Sequence, residues 1–248
     1  MGSTRGGQPP QITGGISAQA TYIQQREKAP MATGIQKSES TSKLTIVNHP
    51  LTRNILTKLR DYQTPSGEFR EKARQLSYFL VYEAMRELGV REVGVETPIG
   101  PAKGVALSDY VVFAPVLRAG LILAEAAQEL FANARIYHIG LRRDEETLKA
   151  ISYYAKLPDA LPNESRVFVL DPMLATGGSA CAAINLFDKL KVQTIHLVSI
   201  VAAPEGVKRV HEQFPNVHIT TAALDENLNE HGYIVPGLGD AGDRIFGT

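Results

Sequence analysis

The stretch "VFVLDPMLATGGSACAAINLF", Val167 to Phe187, decides how this chain is read. Val167 to Leu170 form a short apolar run suited to a strand buried on both faces. The run stops at Asp171 and Pro172 and passes through a loop of small residues closing on Thr176-Gly177-Gly178-Ser179. It then gives way to helical spacing. A strand that ends in such a loop and feeds a helix builds a cradle for an anion. Small residues let backbone N–H groups close around it, the helix N-terminus adds its dipole, and Thr176 and Ser179 add hydroxyl donors. The loop lacks the lysine of G-x-x-x-x-G-K-[ST] and does not read G-x-G-x-x-G, so neither a nucleoside triphosphatase nor a dinucleotide loop is indicated. Asp171 supplies the difference. A carboxylate at the strand end can accept hydrogen bonds from vicinal ribose hydroxyls while the loop holds a 5′-phosphate. A lone Gly-Gly-Ser would be no more than a helix-capping turn, and here the surroundings outweigh that reading.

Outward from this stretch, helical and strand patterns alternate. "YVVFAPV" (Tyr110–Val116), "RIYHIGL" (Arg135–Leu141), "RVFVL" (Arg166–Leu170) and "TIHLVSIV" (Thr194–Val201) are apolar and β-branched, and helical or loop stretches separate most of them, which predicts a mostly parallel sheet. Upstream, Phe69, Ala73, Leu76, Leu80, Ala84 and Leu88 recur at three- and four-residue spacing behind Pro65. This predicts a long amphipathic helix over 64–89. Residues 92–107 alternate short apolar residues around Gly100-Pro101 and predict a hairpin arm, for packing on another subunit or on the core. In such a sheet the ligand sits at the carboxyl ends of the strands. Three unusual loops fall there: "APVLRAG" (Ala114–Gly120), "GLRRDEET" (Gly140–Thr147) and the opening stretch.

Composition narrows the partners. Lys plus Arg and Asp plus Glu are equal at 26 each, so no overall basic field advertises nucleic acid or an anionic membrane. The single cysteine, Cys181, excludes an internal disulfide framework and a Cys-rich zinc site, and a reducing, cytoplasmic compartment is the simplest home. The longest apolar candidate, residues 111–127, is broken by Arg118 and falls short of the roughly 18 residues of a membrane span. At 248 residues and 44% hydrophobic, the chain can bury a full core. Residues 1–43 are rich in Gly, Ser, Thr, Gln and Pro without a sustained period, and read as a disordered extension or tag ahead of one domain spanning 44–248.

At this point the residues resemble a known family. "LDPMLATGGS", with its strand before and helix after, is similar to the phosphoribosyl diphosphate motif of the type I phosphoribosyltransferases, and its Asp-Pro-Met form resembles the uracil phosphoribosyltransferases. "VLRAG" (Val116–Gly120) and "NEHGYIVPGLGDAGDRIFGT" (Asn229–Thr248) are similar to that family's diphosphate and uracil loops. With "RDEET" and "AAPEG" added, the resemblance covers roughly His49 to the C-terminus. The fold it implies is α/β: a mostly parallel central sheet flanked by helices, with a small hood over the strand ends and the hairpin arm.

The resemblance implies a reaction in which uracil and phosphoribosyl diphosphate give uridine monophosphate and diphosphate. Diphosphate leaves as positive charge grows on the ribose, so the site must neutralise the leaving group and hold the sugar still. Arg118 and Arg143 suit the first task, since a guanidinium is always charged and presents paired donors. Backbone groups of Arg118, Ala119 and Gly120 add to it. The sugar phosphate falls to Asp171, Pro172, Met173, Leu174, Ala175, Thr176, Gly177, Gly178 and Ser179. Main-chain groups of Ile234, Gly239 and Ala241 match uracil's acceptor, donor and acceptor edge. Asp240 faces the ribose and diphosphate and stands with Arg118 and Arg143 as catalytic. Mg2+ is expected to enter with the diphosphate rather than in a protein metal site, because Pro172 stands where a second carboxylate often sits. Arg142, where the family commonly has Tyr, is a second departure, and it shares or confuses the diphosphate role. A homodimer or homotetramer is expected, with GTP or another nucleotide as effector and neither nucleic acid nor membrane as partner.

Several residues carry the plainer reading. His231 is a local hydrogen-bonding residue of the loop, Cys181 a small buried hydrophobe, and His138 and His196 are satisfied strand residues, with no second ligand type at metal spacing around them. The alternative function is an RNA-binding regulator of pyrimidine genes on the same fold, and the balanced charge argues for the enzyme.

Overall fold

Six strands in parallel order carry the molecule. They are β2 (Leu44–Ile46), β5 (Tyr110–Leu117), β7 (Ile139–Arg143), β9 (Ser165–Leu170), β11 (Thr194–Ala202) and β12 (His218–Leu224), lying side by side as β2-β12-β11-β9-β5-β7. The computed structural model describes residues 40, 41, 43–143 and 150–248, all within the unit Lys37–Thr248. Antiparallel strands flank the parallel set: β1 (Ser40–Thr41) on β2, and β8 (Ala150–Ala155) on β7. Two short strands, β6 (Arg135–Ile136) and β10 (Met173–Leu174), pair in parallel with β5 and β11. β9 and β11 are buried almost throughout, as the unbroken apolar runs require of strands covered on both faces.

The period-two alternation of a strand sends neighbours to opposite layers. Phe113, Phe168, Leu170, Val198 and Ile200 face one core with α1 (Pro50–Arg60), α2 (Ser66–Ala84) and α3 (Leu121–Leu130). Val112, Ala114, Val116, Val167, Val169 and Leu197 face the other with α4 (Gly178–Asp188) and α5 (Pro204–Gln213). α2 buries Phe69, Ala73, Leu76, Leu80 and Ala84, the stripe that its spacing predicts. α1 begins at a capping box of His49 and Thr52. Phe113, Phe168, His196 and His218 are register partners on four adjacent strands. Their rings form a continuous rank with centroids 5.8, 5.1 and 5.0 Å apart.

The hairpin arm is β3 (Val90–Glu96) and β4 (Pro101–Leu107), a separate two-stranded sheet in full antiparallel register. Val90, Val95, Ile99, Val105 and Leu107 on it are exposed. A second small sheet, β13 (Asn227–Leu228) and β14 (Ile234–Val235), makes the hood, and α6 (Ala241–Phe246) follows it.

Three expectations change. "RIYHIGL" is not one strand: the chain leaves the ladder at Tyr137 and His138 between β6 and β7, so His138 lies in a break rather than a strand. The helix expected over 64–89 ends at Ala84, beyond which Gly89 and the start of the arm take over. Residues 1–39 and 42 of the expected extension lie outside the described residues, but Ser40 and Thr41 form β1 on β2 and Lys43 donates to Pro215 O at 2.6 Å, so the ordered sheet begins before residue 44, ahead of the expected boundary.

Candidate active site

A cavity of about 380 Å³ lies where the strands end. Its walls come from four pieces of chain: Arg118 and Ala119 after β5, Leu141 on β7, Asp171 and Ser179 around the loop after β9, and Tyr233, Ile234 and Gly239 to Gly242 from the hood and α6. A longer cleft of about 890 Å³ adjoins it and shares Leu141, Met173, Ala175, Ser179 and Gly232. Thr176, Gly177, Gly178 and Arg209 line only the cleft.

The loop's shape follows from its glycines. Gly177 has φ +74° and caps α4 in the left-handed region, where a side chain is strained. Gly120 sets how close the loop after β5 comes, since a Cβ there would lie 2.4 Å from Leu170 O and 2.5 Å from Val116 O. Its N–H donates to Val116 O at 2.9 Å, so Gly120 shapes the turn from behind and does not line the cavity. Pro172 and Leu174 also stand behind the surface: Pro172 O accepts from Ile200 N at 2.9 Å, and Leu174 is buried.

Asp171 is the electrostatic centre. It is 9% exposed. Desolvation pushes its carboxyl up to about 6, against the hydrogen bond from Ser179 and the Met173 backbone N–H, which lower it. Ser179 Oγ donates to Asp171 Oδ2 at 2.7 Å. The carboxylate is thus held facing the loop and poorly hydrated, a cost that ligand hydroxyls are suited to relieve.

Arg118 spans the site. Its Nη2 lies 3.4 Å from Asp243 Oδ1 and its guanidinium 5.6 Å from the Phe246 ring centroid. Asp240 caps α6, accepting from Asp243 N at 3.0 Å. Ile234, Gly239, Asp240 and Ala241 all line the cavity, so the structure brings the four residues expected at the uracil loop to Asp171 and Arg118. Arg143 ends β7, while its side chain and the "DEET" residues 144–147 lie outside what is described. Arg142 lines the cleft, not the cavity.

Sequence reasoning missed the supports beneath the base loop. Arg60 at the end of α1 pairs with Asp225 at 2.5 Å and donates to Gly237 O at 2.7 Å. Asp225 accepts from Gly237 N at 2.9 Å. Gly237 turns with φ +59° where a Cβ would meet Ile234 O at 2.2 Å. Arg244 donates to Leu238 O at 2.9 Å, to Asp61 O at 2.6 Å and to Leu59 O, and it stacks 4.2 Å from the Phe69 centroid. Asp225 carried one usable signal, a carboxylate directly after a strand as at Asp171. That strand, "HITTAAL", is too polar to announce itself. Gly206 of the "AAPEG" block earns its place here, because a Cβ on it would lie 2.4 Å from Ala175 O.

His231 is exposed, 3.4 Å from Glu230, and does not line the cavity. Cys181 is buried; His196 is stacked and burial lowers its pKa to about 4, but its buried Nδ1 has no hydrogen-bond partner among the described residues, so it is not the satisfied strand residue expected. Among the described residues no group of three or more His, Cys, Asp or Glu is placed to hold a metal ion, and no helix is long and apolar enough to cross a membrane.

Residues 46–248 match the family model described as uracil phosphoribosyltransferase. A uracil phosphoribosyltransferase of Dictyoglomus turgidum is 50% identical over 204 residues, 82% of this chain and 98% of that protein. The one of Thermus thermophilus is 48% identical over 207 residues, 83% and 99% respectively. A solved protein structure from Aquifex aeolicus is similar at TM-score 0.76 and 39% identity, covering 82% of this chain and 97% of that one. Adenine phosphoribosyl transferase from Trypanosoma brucei shares the fold at TM-score 0.53 and 14% identity, over 83% of this chain and 92% of that one.

Proposed function

The chain belongs to the uracil phosphoribosyltransferase family, and from that premise we propose how its two cavities divide one substrate between them. The reaction joins uracil to phosphoribosyl diphosphate, giving uridine monophosphate and diphosphate. In this reading the 5′-phosphate lies on Thr176 to Ser179, at the head of α4, where backbone N–H groups and hydroxyls meet it. The ribose hydroxyls donate to Asp171, replacing the Ser179 hydrogen bond and restoring the solvation that burial removed. Uracil lies against the main chain of Ile234, Gly239 and Ala241. The observation that carries this division is that one cavity joins Arg118, Asp171, Ile234 and Asp240, four residues from three separate loops.

The leaving group falls to Arg118, the Ala119 backbone and Arg143. Arg118's pairing with Asp243 is half-exposed, and such pairs contribute only about 0–1 kcal/mol. A diphosphate therefore displaces Asp243 at little cost, and Arg118 turns from the α6 carboxylate to the leaving oxygens. Asp240, already fixed as the cap of α6, faces the ribose as positive charge grows there, an electrostatic role needing no reorganisation. Mg2+ fits as an ion carried in by the diphosphate. The cavity presents two carboxylates, Asp171 and Asp240, Asp171 already engages Ser179, and a hard ion that keeps its waters suits so sparse a donor set. When bound, it would neutralise charge on the leaving group.

The catalytic domain in this reading runs to residue 248 and includes the short β1 ahead of residue 44, with the residues before β1 as an extension to it; the relatives' matched lengths support this. A homodimer or homotetramer is supported by the arm, because a lone two-stranded hairpin with exposed Val90, Val95, Ile99 and Val105 gains little stability in water unless it packs on something. A cytoplasmic setting rests on the single cysteine, and GTP or another nucleotide effector has no residue assigned to it. The test is the purified protein given uracil, phosphoribosyl diphosphate and Mg2+. Equal molar formation of uridine monophosphate and diphosphate is expected, and failure to form either refutes the reading.

A further inference from the structure

One cation stands over the phosphate loop without a part in the division above. Arg209 lies one turn after Gly206 on α5. The glycine lets that helix lie against the backbone of Leu174 and Ala175, where a Cβ would come within 2.8 and 2.4 Å of their carbonyl oxygens. Residues three apart share a helix face, so this close approach carries Arg209 across the loop. Its Cβ is 3.4 Å from the point where a side chain on Gly177 would begin, and its Nη1 is 3.8 Å from the matching point on Gly178. Nη1 donates to Thr176 O at 3.3 Å. Among the described residues no carboxylate lies within ion-pair distance of it. Its field also reaches the first turn of α4: burial raises the Cys181 thiol, and the positive charge of Arg209 opposes that rise.

The loop itself needs such a charge. Residues 171–179 contain neither Lys nor Arg, yet a phosphate monoester carries about −1.5 to −2 at neutral pH. Arg118 is committed to the other cavity. We propose that Arg209 binds the 5′-phosphate, of phosphoribosyl diphosphate and of the nucleotide product alike, by turning its guanidinium from the Thr176 carbonyl to the phosphate oxygens. The cleft that it lines is about 890 Å³, which leaves room for both. This inference rests on the loop's being the phosphate cradle.

The experiment measures calorimetric dissociation constants for uridine monophosphate and for uridine, on the full chain and on its Arg209→Gln and Arg209→Lys variants. The nucleotide should bind Arg209→Gln about 10- to 100-fold more weakly, the range for hydrogen bonds to charged groups, while uridine binds both proteins alike. Arg209→Lys should recover part of the loss. In steady state Arg209→Gln should raise KM for phosphoribosyl diphosphate and leave kcat unchanged. Unaltered nucleotide binding, or an equal loss for nucleotide and uridine, overturns the inference, the latter by showing mere support of the loop. Wild-type protein that binds uridine as tightly as its monophosphate instead refutes the cradle, and the two failures are thereby distinct.

Discussion

Asp171→Asn should make the unliganded protein more stable and a poorer enzyme. Burial lifts this carboxyl from 3.8 to about 6, which at about 1.36 kcal/mol per pH unit amounts to about 3 kcal/mol. The folded protein holds the proton more tightly than the unfolded chain does. Below pH 3.8 both states are protonated and the site costs nothing; the cost accrues as pH rises to about 6 and is complete above it. Asparagine keeps the shape and never ionises, so it should recover up to about 3 kcal/mol at pH 7.5, a net figure that already includes the opposing hydrogen bonds from Ser179 and Met173. For a domain of this size about 2–4 °C of Tm accompanies each kcal/mol, so the gain is up to about 6–12 °C, and most of it should vanish at pH 4. Ligand binding moves the other way. The ribose hydroxyls lose their charged acceptor, and affinity for phosphoribosyl diphosphate should fall by roughly 1.5–3 kcal/mol. Scanning calorimetry at the two pH values, with KM for both substrates, decides it. A variant no more stable than wild type at pH 7.5, a gain that persists at pH 4, or an unchanged KM for phosphoribosyl diphosphate would each refute the reasoning.

Asp225→Asn removes the charge shared by Arg60 and the Gly237 N–H, and should cost roughly 1.5–3 kcal/mol of stability. KM for uracil should rise while that for phosphoribosyl diphosphate holds, and equal rises would show a general rather than local effect. Wild type should prefer uracil over cytosine by about 10⁴, since cytosine leaves main-chain groups unpaired. Asp240→Asn should slow turnover yet keep that preference; comparable turnover of the two bases by wild type sinks the main-chain readout. Deleting residues 1–39, which stops short of β1, should leave kcat and Tm nearly unchanged, and a large drop in either would place that segment in the fold.

Where the sequence was legible, one physical signal dominated. Buried parallel strands announce themselves as apolar runs, so β5, β9 and β11 could be read directly, as could the apolar stripe of α2 and the glycine turn of the arm. β12 escaped because "HITTAAL" buries small and hydroxyl side chains, whose polar groups are satisfied only in the folded sheet: Thr221 Oγ1 donates to Ala223 O at 3.0 Å. The loops proposed to meet ligand were legible by composition, since Gly120, Gly177 and Gly237 stand where a Cβ would collide or strain. Their supports were not. Arg60, Asp225 and Arg244 act through partners far away in sequence, and nothing in the neighbourhood of each residue reports the other. Arg209 was hidden for the same reason, on a helix face whose meaning depends on Gly206 touching Ala175.

The bonds beneath the base loop span long stretches of chain. Arg60 meets Asp225 and Gly237 across 165 and 177 residues, and Arg244 meets Leu59 and Asp61 across 185 and 183. Closing loops of that length costs entropy before any contact repays it, and such distant pairings slow folding. The edge of the sheet closes loops as long, with Leu44 beside Ile219, so the wall proposed to bind the base is expected to become fixed together with that edge and after the shorter-range contacts. Intermediates lacking those long-range contacts would have no place for uracil. A ligand that recognises only the finished wall selects against those intermediates by mass action, adding about 2.7 kcal/mol to the native state at a hundredfold excess over its Kd. Uracil and its nucleotide are thus expected to act as folding ligands for the enzyme that consumes and makes them.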